Sequence, residues 1–311
     1  MHNIIGVDLG GTQLRACLAD TTGTLHAEIR MPTEAIDGPD AVIDRIVDSI
    51  NDMRAALPPG GDLLGVGIGS PGPLNPFDGV VYTQPNMPGW KDVPLRDILE
   101  QRTGLSIELG NDANAAALGE WMFGAGKGTR NLVYVTVSTG IGGGVICDGK
   151  LLLGHRGSAT EVGHHILDVT THASWEDLAA GPGLAAAAAE AMIGDPRSLL
   201  HGLATPETVT AVEVAQAAAA GDPLALRLLD REGDLIGTGL VNMLHLYSPE
   251  LILVGGGVVI HNPYLLERAI AIIKEHAMLV YRDVPVKLVS LGDRTGLIGA
   301  VGLFMHMRGV G

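Results

Sequence analysis

Two segments of this chain share a plan that few folds accommodate. Near the start, NIIGVDLGGTQLRACLAD runs an apolar strand into Asp8, Gly10, Gly11 and Thr12, then out into a second apolar strand. Past residue 130, NLVYVTVSTGIGGGVICDG does the same through Ser138, Thr139, Gly140, Gly142, Gly143 and Gly144. Apolar runs flanking a turn of glycine and hydroxyl residues read as strand, turn, strand. Glycine lets backbone N–H groups approach an oxyanion and a Thr hydroxyl adds a donor, so each turn has the size and chemistry of a phosphate cradle. A third cluster, Gly255-Gly256-Gly257, closes the apolar run LILV. Each alone is an ordinary tight turn. All three in this order and spacing are much less expected by chance, and the two hairpin segments read as a degenerate duplication with one phosphate-sized turn per half. Two copies are too few for a solenoid.

The remaining periodicity fills in an α/β chain. A third strand, TLHAEIRM, follows the first hairpin, and Val42, Ile43, Ile46, Val47, Ile50, Met53 and Leu57 have helical spacing that ends at Pro58-Pro59. DLLGVGIGSPG reads as a buried strand entering a proline-rich loop. A helix near 94–102 and the strand SIELG come next, and Asn111 or Asp112 is the expected cap of the helix ANAAALGEWMFG. The Ala run 185–189 reads as helix because Leu184, Met192 and Ile193 continue its apolar content. Helices at 223–247 and 262–276, a strand at 284–289 and a last helix at 296–307 complete the pattern. The expected division is an N-terminal α/β domain, 1–115, joined by the C-terminal helix 297–311, and a larger α/β domain, 116–296.

Composition excludes several function classes. With 46% hydrophobic residues in 311, the chain has ample material for packed cores. A net charge of −15 argues against nucleic-acid binding, which needs cations to displace counterions. No apolar run approaches the length of a bilayer span, and MHNIIGVDLGG lacks a basic region before an apolar core, so neither membrane nor signal peptide is expected and the location reads as cytoplasmic. Cys17 and Cys147 alone make no disulfide framework or cysteine zinc cage. Two further glycine patterns are set aside. Gly67, Gly69 and Gly72 match GxGxxG after a strand but open no amphipathic helix, and Gly124 to Thr129 lacks the Ser or Thr that must follow the lysine of a Walker loop. The latter reads as a flexible connection.

Over essentially its whole length the chain resembles a sugar kinase of the ROK group, on the actin-like, hexokinase-type ATPase fold with two α/β domains and a cleft between them. DLGGTQLR resembles the group's first phosphate motif, GNDANAAALGE its catalytic-base segment, VSTGIGGG its second phosphate motif, EVGH its sugar-binding segment and LVGGGV its adenosine motif. SPGPLN and QPNMPGW resemble its sugar-side loops. The resemblance implies ATP and Mg²⁺ as cofactors. ATP phosphates would lie on Asp8, Gly10, Gly11, Thr12, Gln13, Thr139, Gly140, Gly142, Gly256 and Gly257, with Asp8 holding Mg²⁺ through water. Asp112 is implied as general base on a hexose hydroxyl, commonly the 6-OH. Asn111, Glu161, His164 and Glu176 are implied as sugar ligands, with Gly72 and Asn86 as weaker ones.

The segment between His164 and Glu176, HILDVTTHASW, departs from the family by lacking the CxCGxxGC cluster. No structural zinc is expected. His164, Asp168 and His172 lie four apart, but such residues are more often solvated or hydrogen-bonded than ligating. Packing of Trp175 is the expected means of placing Glu176. Ser158-Ala159-Thr160 stands where the family often has Ala-Gly beside the glutamate, and bulk there bears on a 2-acetamido group. The leading expectation is an ATP-dependent glucokinase, a homodimer binding small-molecule hexose and ATP. The alternatives are a kinase for mannose, fructose, N-acetylmannosamine or N-acetylglucosamine, polyphosphate as donor, or a non-catalytic sugar sensor. Repressors of the group carry a helix-turn-helix ahead of the DxGGT-like segment, and a first strand starting at residue 3 leaves no room for one.

Overall fold

The computed structural model describes residues 2–83 and 87–310; the candidate Asn86 lies outside the described residues. The chain divides into two compact units. One comprises Met1–Arg130, Gly144–Thr160 and Val289–Gly311, the other Asn131–Gly143 and Glu161–Leu288.

In the first unit, β1 (His2–Leu9), β2 (Gln13–Asp20) and β3 (Leu25–Pro32) form an antiparallel meander. The helix α1 (Pro39–Ala55) returns the chain to β4 (Asp62–Ser70), parallel to β1. The short hairpin β5 (Leu74–Asn75) and β6 (Val80–Val81) precedes α2 (Leu95–Thr103) and β7 (Ile107–Asn111), which is parallel to β4 and runs into α3 (Asp112–Met122). The sheet order is β3-β2-β1-β4-β7. β1 and β4 are nearly continuous apolar runs because both their faces are covered. β3 alternates half-buried with exposed residues, as an edge strand should.

One face of this sheet meets Val42, Ile43, Ile46, Ile50 and Met53 of α1, which pack with Ile5, Val7, Leu9, Leu14, Ile68 and Leu109. The other face receives the C-terminal helix Thr295–Arg308, whose Leu297, Val301, Phe304 and Met305 cluster with Ile4, Cys17 and Ala19. The helix backbone rests directly on the sheet. A Cβ on Gly67 would lie 1.9 Å from the Ala300 carbonyl oxygen, and one on Gly6 would lie 2.7 Å from that of Leu297. Gly67 of the discarded GxGxxG pattern is thus a packing glycine. The Cys17 thiol, buried under this helix, is pushed up to about 12 by desolvation and is chemically quiet.

The segment expected to be a flexible connection, Gly124 to Thr129, is tied down. Glu120 of α3, fully buried, accepts the Ala125 N–H at 3.0 Å through Oε2, while its main-chain carbonyl accepts Gly126 N–H at 2.9 Å. The Trp121 indole donates to the Thr129 carbonyl at 2.7 Å.

In the second unit, β8 (Leu132–Val137) leads through the second glycine turn into β9 (Ile141–Cys147). The last residues of β9 belong to the first unit and pair there with β10 (Lys150–Leu151). A small hairpin, β11 (Ile166–Asp168) and β12 (Ala173–Ser174), precedes α4 (Trp175–Ala179) and α5 (Gly181–Gly194). Ser174 caps α4 in a reciprocal box with Asp177. After α6 (Ala211–Ala219) and α7 (Pro223–Tyr247), β13 (Leu251–Gly255) pairs parallel with β8. The short α8 (Gly257–Ile260), α9 (Pro263–His276) and β14 (Val286–Leu288), parallel to β13, follow, and α10 is the C-terminal helix Thr295–Arg308 already placed in the first unit. Gly237 lets α7 approach α9, since a Cβ there would lie 2.6 Å from Cβ of Ile272. No helix among the described residues is long and apolar enough to cross a membrane.

Candidate active site

The first glycine turn is a closed hairpin. Gly10 N–H donates to the Gln13 carbonyl at 2.9 Å, and Thr33 braces it from outside, its hydroxyl donating to the Gly10 carbonyl at 2.6 Å. Asp8, at the base of the turn, faces Arg15 in the β1–β2 register. The guanidinium pairs with the Asp8 carboxylate and donates to the Asp293 carbonyl at 2.6 Å. A cavity of about 370 Å³ is lined by Asp8, Gly10–Gln13, Arg15, Arg30 and Asp293. The cations Arg15 and Arg30 escaped the sequence reading. Their signal was cross-strand placement, Arg15 opposite Asp8 and Arg30 opposite Arg15.

The first unit also presents Asn111 and Asp112 where β7 becomes α3. Asn111 is the N-cap: its Oδ1 accepts the N–H of Ala113 at 2.9 Å and of Asn114 at 3.3 Å. That commits the amide oxygen to the helix and leaves the NH₂ with no partner among the described residues, so Asn111 can offer a sugar hydroxyl only a donor. Asp112 is exposed in the first turn of α3, and its Oδ1 accepts the Ala113 N–H at 2.8 Å. Behind it, buried Asn114 accepts the Thr160 hydroxyl at 3.4 Å. Thr160 has φ of 67°, a left-handed backbone that glycine prefers and a β-branched residue rarely adopts. Gly72 follows β4 in the same unit.

In the second unit three segments meet. Gly256 (φ 88°) lies so near the end of β8 that a Cβ would fall 2.2 Å from the Val137 carbonyl oxygen, bringing the triple glycine beside the second glycine turn. Gly257 then opens α8. In the turn, Ser138 N–H donates to the Gly140 carbonyl at 2.9 Å, with Thr139 exposed and Gly140 and Gly142 half-buried. The EVGH segment lies on it: a Cβ on Gly163 would sit 2.1 Å from the Ile141 carbonyl oxygen. Finally, Glu176 Oε2 accepts the Ile141 N–H at 2.8 Å.

Glu161, His164 and Glu176 are close enough to act on one another. The Glu161 carboxyl is raised above its ordinary range, first by desolvation and further by the charge of Glu176, with His164 pulling the other way.

Apolar and polar packing holds this group. Trp175 is fully buried, and a Cβ on Gly239 would lie 2.1 Å from its indole. Its ring lies 5.3 Å from that of His165, and the Trp175 main-chain N–H donates to the His165 carbonyl at 2.9 Å. His165 Nδ1 meets the Val162 carbonyl, and Nε2 meets Asn242 Nδ2 at 3.2 Å. Nδ1 therefore carries the proton and Nε2 accepts from the amide. His165 and Asn242 were not singled out from sequence; nothing local marks them. The Asp168 carboxylate is occupied in its own turn, accepting Thr170 N–H at 2.8 Å and the Thr171 hydroxyl at 2.7 Å. No group of three His, Cys, Asp or Glu among the described residues could hold a metal.

Comparison with known proteins gives the family and the fold. The family model "ROK family" matches residues 4–307. A glucokinase of Thermotoga maritima is 34% identical, covering 98% of this chain and 98% of its own. A ROK hexokinase from Thermus thermophilus superposes with a TM-score of 0.84 at 32% identity, covering 99% of each chain. A ROK family glucokinase from Streptomyces griseus, solved with glucose and AMPPNP, gives 0.81 at 30% identity over 97% of this chain and 98% of that one. With two glycine-lined turns, a triple glycine and an EVGH segment beside Glu176 on the hexokinase-type ATPase fold, and with relatives of this kind along its full length, the chain belongs to the ROK family and is an ATP-dependent sugar kinase.

Proposed function

We propose that the enzyme transfers the γ-phosphate of ATP to the 6-hydroxyl of glucose, with Asp112 as general base. The observation that carries this reading is the pairing of an exposed carboxylate, Asp112, with an adjacent amide whose oxygen is already committed, Asn111. Asn111 can then only donate to a sugar oxygen while Asp112 can only accept a proton. Asp112 removes the hydroxyl proton as that oxygen attacks the γ-phosphorus, the bond to the β-phosphate oxygen breaks, and the proton rests on the Asp112 carboxyl. Glu161, His164 and Glu176 hold the remaining ring hydroxyls.

The donor side fits a phosphate chain because Gly10, Gly140 and Gly256 keep side chains out of the turns, and Arg15 and Arg30 supply positive charge at the first. Asp8 keeps Oδ1 clear of the Arg15 ion pair, which suits a water-mediated hold on Mg²⁺. Bound there, the ion would neutralise charge on the transferring phosphoryl group. Glucose is favoured over other hexoses by the glucokinases among the relatives and by a relative solved with glucose. Thr160 favours a sugar without a 2-acetamido group. A matrix of initial rates, with glucose, mannose, fructose and the two N-acetylhexosamines against ATP and polyphosphate, tests the reading. Glucose with ATP should give the highest kcat/KM. Preference for another sugar would move the substrate assignment, and no phosphorylation of any hexose would leave a sensor.

A further inference from the structure

Glu176 touches two subsites of the second unit. Its Oε2 accepts the Ile141 N–H at 2.8 Å, and a Cβ on Gly140 would lie 2.6 Å from that same oxygen. Gly140 ends the turn that would hold donor phosphate and Ile141 opens β9 directly after it, whereas Glu176 is a candidate sugar ligand. Two contacts lock the same pieces together. Gly181 N–H, at the start of α5, donates to the Ser138 carbonyl at 2.8 Å, and Gly163 of EVGH lies against the Ile141 carbonyl. Oε1 of Glu176 has no hydrogen-bond partner among the described residues and is left for a sugar hydroxyl.

Resting on the kinase reading above, we propose that Glu176 is a positioning residue for the second phosphate turn as well as a sugar ligand, and that the Ile141 N–H···Glu176 bond couples the sugar and nucleotide subsites. A hydroxyl donating to Oε1 fixes the rotamer that Oε2 needs to receive Ile141. A phosphate gripping the turn fixes Ile141 and, through it, the carboxylate. The glycine turn loses its freedom once, whichever ligand arrives first, so the second ligand binds an ordered site. Such coupling is reciprocal: each ligand must tighten the other by the same factor. A methyl at position 140 would stand 2.6 Å from the carboxylate oxygen, too close for contact, and crowd Glu176 away from Ile141, so a substitution in the phosphate turn should disturb sugar binding.

Calorimetric titration of the full chain tests this. Glucose is titrated with and without saturating Mg·AMPPNP, and Mg·AMPPNP with and without glucose, in wild type, Gly140→Ala, Glu176→Ala and Glu176→Gln. In wild type each ligand should tighten the other by about fivefold or more. Gly140→Ala and Glu176→Ala should bring the factor below about twofold. Glu176→Gln, whose amide oxygen still accepts the Ile141 N–H, should keep most of it. In wild type the Ile141 amide resonance should shift on saturation with glucose alone, a readout that stands even if a variant fails to fold. Wild type that binds both ligands without coupling, an unmoved Ile141 resonance, or undiminished coupling in Gly140→Ala and Glu176→Ala would overturn the proposal. Wild type that binds neither ligand would remove the kinase reading itself, and the coupling with it.

Discussion

Glu120 Oε1 accepts the backbone N–H of Ser290 at 2.8 Å, a bond between the end of α3 and the entrance to the C-terminal helix, 170 residues apart. The same carboxylate accepts Leu291 N–H at 2.8 Å, the Ser290 hydroxyl at 3.0 Å and the Thr295 hydroxyl at 3.3 Å. A fully buried carboxylate is tolerable because main-chain and hydroxyl donors surround it. Glu120→Ala leaves those donors unpaired and should cost about 3 kcal/mol of stability, read from the denaturant midpoint. An unchanged midpoint would contradict this account of the tie.

Asp112→Asn should keep the N-terminal turn of α3, since Asn111 supplies the cap. Sugar affinity should hold while kcat falls by roughly 10²–10⁴. Isothermal titration beside steady-state rates checks both halves, and near-normal turnover would remove Asp112 from the base role.

Glu232 of α7 is fully buried and neither carboxyl oxygen has a hydrogen-bond partner among the described residues. Desolvation raises it from 4.5 to about 8, against the opposing charge of Arg231. The folded chain therefore holds a proton there that the unfolded chain has released, and stability falls as pH rises between those values. Glu232→Gln should flatten that fall, adding on the order of 3 kcal/mol near pH 7 and little near pH 4.5. Melting curves from pH 5 to 8 decide it: a variant that tracks wild type throughout would show that Glu232 does not carry the pH dependence.

The His165–Asn242–Trp175 contacts tie the EVGH segment to α4, and no group of three His, Cys, Asp or Glu among the described residues could hold a metal there. Asn242→Ala should raise the KM for sugar several-fold while leaving the KM for ATP within about twofold. Dialysis against chelator, with magnesium restored, should leave sugar binding unchanged. Stoichiometric zinc in the purified protein, with loss of sugar affinity on its removal, would contradict the account.

What could be read from the linear chain follows the range of the interactions. The hairpins about Gly10 and Ser138, the α1 face and the cap at Asn111 are local, so their residue types and spacing announce them. The strand expected at 284–289 shortens to Val286–Leu288 because only its middle pairs with β13. Contacts that join distant segments left no local mark. Nothing near Glu120 names Ser290, and Gly67 is set by a helix backbone some 230 residues later. The candidate sugar residues entered through motif resemblance, whereas the bond from Ile141 to Glu176 and the support by His165 and Asn242 needed three dimensions.

The covering of the first sheet by the C-terminal helix has a consequence for biosynthesis. Ile4, Cys17 and Ala19 leave the ribosome nearly 300 residues before Leu297 and Val301, the side chains that shield them. The glycines at 6 and 67 make a seat that only this helix backbone fills. The part of the nascent sheet around Ile4, Cys17 and Ala19 therefore stays uncovered until residues 295–308 have been made, and a chain released before them would expose an apolar strip to whatever chaperones attend it.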